Sequence, residues 1–161
     1  MTPSLRLMSC GLLVFLTLLG SISISYGQAD EKAQLARLMF AAFQCGTYAA
    51  MSDDEKAKAR LFEVGVKAGR EFLDAVNKGQ ITHEAEMKVV PAAVLERLPY
   101  RPSTDFALGR IFEFSTHAAH EMATRAAREM ARVAQADHLT EQELTKRSAE
   151  EKYRTENCAP G

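Results

Sequence analysis

The chain has 161 residues, 25% of them charged and 47% hydrophobic, with 20 Lys+Arg against 21 Asp+Glu and no tryptophan. A nearly neutral balance lacks the basic footprint that nucleic-acid binding requires. A chain of this length supports one domain with a single core, and sparse Gly and Pro with abundant Ala predict that it is helical.

Arg6 precedes an apolar run from Gly11 to Gly20, followed by the small and polar stretch SISISYG. That is the layout of a secretory signal. Ser25 and Gly27 place small residues at −3 and −1 of a cut before Gln28, so residues 1–27 are expected to be removed and 28–161 to form the mature domain. A retained membrane anchor is the competing reading, but the run is shorter than the roughly 17–25 residues that a spanning helix needs. Cys10 lies before the apolar run rather than after it, where a lipoprotein cysteine stands. Loss of Arg6 leaves a mature net charge of about −2.

Cys45 and Cys158 are then the two remaining thiols, and a pair in an oxidising compartment is most simply one disulfide. Closing so long a loop is worth about 4–5 kcal/mol in the chain-entropy picture, as an upper figure. A catalytic cysteine needs a cationic neighbour, and the surroundings of Cys45 are apolar.

Cys45 sits in the stretch LARLMFAAFQCGTYAAM, Leu35 to Met51, where Arg37, Gln44 and Thr47 are the polar interruptions. A helix apolar nearly all round belongs in the middle of a bundle. Asp30 is placed to cap it. Ser52-Asp53-Asp54-Glu55 then reads as a capping box, with Ser52 as N-cap. The second helix repeats apolar residues at Leu61, Gly65, Ala68, Phe72 and Val76, joined by Phe62, Val66, Gly69 and Leu73. Gly65 and Gly69, one turn apart, each cost about 1 kcal/mol of helix propensity, which predicts close approach by a neighbouring helix. Gly79 is placed to end this helix in a left-handed turn.

Thr82 is expected to cap a short helix that breaks at Val90-Pro91, with a second short helix from Pro91 to Leu98. LPYRPS, Leu98 to Ser103, is the clearest loop. Ser103 or Thr104 caps the longest helix, roughly Asp105 to Gln135. At about 100° per residue, Leu108, Ile111, Ser115, Ala119, Met122, Ala126 and Val133 share one side, and Glu113, His117, His120, Thr124 and Arg128 the other. Phe106 and Phe114 fall off the apolar stripe. Thr140 to Glu143 forms a second capping box, opening a polar last helix to about Thr155 that Cys158 tethers. The expected architecture is a small disulfide-closed all-α bundle of about four to six helices around the Leu35–Met51 helix.

Glu113, His117 and His120 fall at i, i+4 and i+7, and two imidazoles with a carboxylate suit a divalent metal. They lie opposite the apolar stripe, where solvated side chains are the plainer expectation. HEAEM, from His83, has Met87 where a zinc-protease helix needs its second histidine. Arg125, Arg128 and Arg132 form a short basic stripe suited to local pairing. The mature chain carries no GxSxG, P-loop or Gly-rich dinucleotide turn, and Ser115 and His117 point different ways along their helix.

The string HLTEQE, His138 to Glu143, resembles the LTxxQ element of the Spy-type periplasmic stress chaperones, with the glutamine one place early and no second copy of the pattern. Three functions are compatible with the residues. The first is a periplasmic or secreted, non-enzymatic interaction protein of inhibitor, immunity or accessory type. It would act on a protein partner in the cell envelope or outside the cell, with no nucleic acid and no stable membrane insertion after cleavage. The second is a metal-binding protein using the Glu113–His120 face, and the third a periplasmic stress chaperone with an exposed apolar concavity. For the first, Tyr100 and Arg101 in the loop are residue types enriched at binding hot spots, and Pro99 and Pro102 stiffen the segment that presents them.

Overall fold

A computed structural model describes residues 10–134 and 139–158, with side chains from Gly27 to Val133 and from Leu139 to Cys158. Residues 1–9, Gln135 and Asp137-His138, on which parts of the signal and of the last two helix assignments fall, lie outside these. Six helices follow in order: α1 (Cys10–Met51), α2 (Glu55–Asn77), α3 (His83–Val89), α4 (Ala92–Leu95), α5 (Thr104–Ala134) and α6 (Glu141–Thr155). There is no strand among the described residues.

The segment Leu35–Met51 is the hub, as its composition predicts: α1 packs against α2, α3, α5 and α6. Its buried side carries Ala33, Ala36, Met39, Phe43, Cys45, Tyr48 and Ala49. It is not enclosed all round, however, because Leu38 is 47% exposed and Ala41 also faces out. Arg37 uses this outer edge to donate from Nε to the Val89 carbonyl at 2.6 Å, satisfying an end carbonyl of α3. Asp30 lies inside α1 rather than at its start, since no proline interrupts the chain between Cys10 and Asp30 and the helix continues unbroken across Gly27-Gln28.

Two clusters form the core. The larger gathers Met39, Phe43, Phe72, Leu73, Val94 and Ile111 with their neighbours, joining α1 to α2, α5 and the short helices. The second is built from Cys45, Tyr48, Ala49, Leu61, Ala119, Ala123 and Ala149 around the Cys45–Cys158 disulfide, whose Cα atoms are 5.5 Å apart. Alanines bury little area each, and burial stabilises by about 0.8 kcal/mol per methylene, so the bond makes up for a thin apolar contribution there.

Gly65 and Gly69 let α2 close on α1. A Cβ at Gly65 would collide with the Phe43 ring; one at Gly69 would collide with Leu108 and lie 2.7 Å from Met39 Sδ. The cost in propensity is offset by three large core side chains, Phe43, Leu108 and Met39, seated against bare backbone.

The junctions mostly follow the sequence. The exception is the α1–α2 turn, where Ser52 is not the N-cap: its hydroxyl donates back to the carbonyls of Tyr48 at 2.7 Å and Ala49 at 3.1 Å. Asp53 takes a left-handed φ of 65°, and Asp54 caps α2 by accepting from Ala57 N–H at 2.9 Å. Ser52 is drawn away because the end of α1 leaves carbonyls that need donors. Gly79, at φ 63°, follows α2 as expected, with Gln80 N–H bonded to the Ala75 carbonyl at 2.9 Å. Thr82 caps α3, Val90 is extended before Pro91, and Ser103 Oγ accepts from Phe106 N–H at 3.1 Å at the start of α5.

The second half of α5 departs from the expected stripe. Ile111, Ser115, Ala119, Ala123 and Ala127 are buried, whereas Met122 is 37% and Val133 72% exposed. The buried residues recur every fourth position, a row that winds about 40° per step around a helix of 3.6 residues per turn. Such rows form the ridges along which helices cross, and alanine at each step lets the neighbours approach closely.

α6 begins with the expected capping box, Thr140 with Glu143. It buries Leu144, Ser148 and Ala149, and Ser148 Oγ donates to the Ala123 carbonyl of α5 at 2.9 Å. Asn157, at φ 54°, turns the chain so that Cys158 N–H bonds to the Tyr153 carbonyl and its sulfur reaches Cys45. Among the described residues no helix is long and apolar enough to cross a membrane.

Candidate functional site

The LPYRPS loop is held from both sides. Leu98 is buried in the larger cluster. Arg101 turns back toward α2, donating from Nε to Asn77 Oδ1 at 3.2 Å and from Nη1 to the Leu98 carbonyl at 2.8 Å. Arg110, on α5, donates to the Tyr100 carbonyl at 3.0 Å. The neighbouring Arg97 lies 3.4 Å above the centre of the Phe114 ring and donates to the Ala93 carbonyl at 2.6 Å. Phe114, off the apolar stripe, is therefore the cover for a cation, and its other contact is a stacked arrangement with Phe40 at 6.4 Å.

On this fixed backbone Tyr100 stands 70% exposed. It meets Phe106 edge-on, with ring centres 6.0 Å apart and planes at 89°, and Phe106 is itself 44% exposed. Of the two loop residues predicted to bind a partner, Tyr100 is thus free to do so, while Arg101 serves as an internal staple.

Glu113, His117 and His120 are all exposed along α5. No group of three or more His, Cys, Asp or Glu side chains is placed to hold a metal among the described residues. His117 instead lies 3.6 Å from Glu121. Thr124, read as part of the same wet face, is turned under its neighbours, with Oγ1 fully buried and without a hydrogen-bond partner. In the basic stripe, Arg132 pairs with Glu129 through two hydrogen bonds of 2.8 and 3.1 Å.

A third feature lies on the side of α1 away from the disulfide. α1, α2 and α5 leave a cleft of about 430 Å³ between them. Its base is made by small residues, Ala42, Gly46 and Ala50, and its wall by Phe43, Phe62 and Phe112. Phe112 stands edge-on to both others, at 5.1 Å from Phe43 and 5.5 Å from Phe62. Phe43 is buried, yet Phe62 is 47% and Phe112 36% exposed. At the rim Lys58 Nζ pairs with Glu55 Oε2 at 2.9 Å. The hydroxyls of Thr47 and Thr116 donate to carbonyls of their own helices, Phe43 at 3.0 Å and Glu113 at 2.9 Å.

No family model matches the chain, and comparison with curated proteins and with solved structures found no match.

The cleft is the element that reading the sequence missed. Phe62 was counted with the apolar face of α2, and Phe112 stands beside, rather than on, the α5 stripe. The legible signal was the run of small residues four apart, Ala42, Gly46 and Ala50, because such a run leaves either a close crossing or a void.

Proposed function

We propose that this is an exported, non-enzymatic helical interaction protein of the inhibitor, immunity or accessory type, with a protein partner in the cell envelope or outside the cell and a contact face centred on Tyr100. The observation that carries the reading is the exposed Tyr100–Phe106 pair on a backbone fixed by Arg101 and Arg110. A rigid aromatic loses little entropy on docking, and aromatic residues dominate the energetics of protein interfaces. Export is supported by the Ser25-Tyr26-Gly27 cleavage pattern and by the disulfide, which persists in oxidising compartments.

The two loop residues separate in single variants. Tyr100→Ala is expected to leave the melting temperature unchanged and to weaken capture of the native partner from an envelope fraction at least tenfold, equivalent to about 1.4 kcal/mol. Arg101→Ala removes two hydrogen bonds and is expected to cost about 1–2 kcal/mol of stability, with capture retained by the folded fraction. Capture that survives Tyr100→Ala undiminished would move the contact face elsewhere. Intact-mass measurement of exported protein tests the cleavage, which fails if residues 1–20 are retained.

A further inference from the structure

We propose that the cleft between α1, α2 and α5 is a binding site for an uncharged aromatic molecule of one or two fused rings, separate from the Tyr100 face. Its volume, about 430 Å³, falls within the roughly 300–1,000 Å³ of small-molecule sites. The wall is preorganised. Phe43 is pinned because its ring fills the space a side chain at Gly65 would take. Phe112 is then held edge-on to Phe43 and Phe62 edge-on to Phe112. Phe62 and Phe112, seated on the buried Phe43, present ring surface to the open side, and a further ring continues the edge-to-face pattern that aromatic groups prefer. Two phenylalanines left this exposed beside a cavity are otherwise a cost, since apolar surface is left in water.

The polar atoms around the cleft specify charge. Thr47 and Thr116 already donate within their own helices, and Lys58 and Glu55 neutralise each other at the rim. The lining therefore offers a charged group no uncommitted charge of opposite sign, and a neutral ring the phenylalanine surface. The small residues Ala42, Gly46 and Ala50 leave the α1 side of the cleft without bulky side chains.

The test uses the neutral fluorophore N-phenyl-1-naphthylamine with the full disulfide-bonded chain. Saturable one-to-one enhancement with a blue shift is expected. The double substitution Ala50→Leu with Ala59→Leu, both on the lining and neither fully buried, should keep the helical circular dichroism spectrum and weaken binding at least tenfold. Phe112→Ala should weaken it without filling the space, which guards against a folding defect in the double variant. Naphthalene or indole should displace the probe, and octanoate at the same concentration should not. The proposal is overturned if wild-type protein gives no saturable signal, if the filled variant binds as wild type does, if octanoate competes equally, or if sedimentation shows that the signal belongs only to a self-associated form.

Discussion

Tyr48 shows how much one residue's surroundings decide. It is 1% exposed, and burial, with a smaller contribution from the Glu156 carboxylate, pushes its hydroxyl from the ordinary 10.0 up to about 12. Between these values the unfolded chain releases the proton while the folded one keeps it, so stability must fall as pH rises through that window. The contribution is fully present below pH 10, and its loss approaches about 2–3 kcal/mol at most as the pH passes through 12. Urea denaturation at pH 9 and at pH 11.5 should show this loss in wild-type protein, with Tyr48→Phe losing less over the same interval. Equal losses in the two proteins would mean that Tyr48 ionises normally. Ultraviolet titration should correspondingly find a tyrosine that resists ionisation until near pH 12, and Tyr48→Phe should remove it. None of this could be read from the sequence, in which Tyr48 is one aromatic in an apolar stretch, because the shift depends on α2, α5 and α6 closing over it.

The helices were legible where a local rule decided the outcome. The Thr140 box, the Thr82 cap, the left-handed Gly79 and the break at Pro91 each depend on a few adjacent residues, and each is where the sequence placed it. Ser52 and the second half of α5 were misread for a different reason. In both cases two local patterns were compatible, and packing chose between them: Ser52 answers the carbonyls of α1, and the alanine row of α5 follows the crossing of its neighbours. Gly65 and Gly69 give the clearest test at this scale. In an exposed helix, Gly→Ala is stabilising by about 1 kcal/mol. Here Gly65→Ala and Gly69→Ala should each destabilise instead, by about 1–3 kcal/mol, because Phe43, Met39 and Leu108 must shift. Thermal melts decide the sign directly, and a raised melting temperature in either variant would show that α1 and α2 can separate without loss.

At the scale of the whole molecule, the hub helix and its tether were visible in composition and cysteine arithmetic, whereas both candidate sites needed the assembled bundle. The cleft takes its lining from three helices that no local pattern brings together, and the exposure of Tyr100 depends on where Phe106 and Arg110 stand. The disulfide makes its own prediction. α6 buries few large side chains, and its salt link, Lys146 to Asp53 at 2.8 Å, is exposed, a kind of contact that adds little. Cys158→Ser should therefore cost about 2–4 kcal/mol in urea denaturation, and hydrogen exchange should accelerate first in α6 while α2 stays protected. Uniform acceleration would show that α6 is held by packing after all. The bond joins positions 113 residues apart and thereby closes most of the chain into a covalent ring, with LPYRPS on its circumference. A protease that nicks this loop opens the ring without releasing a fragment: the cut protein keeps its full mass until a reductant is added, and both halves of the core stay in register. A single cut in this loop then becomes survivable damage.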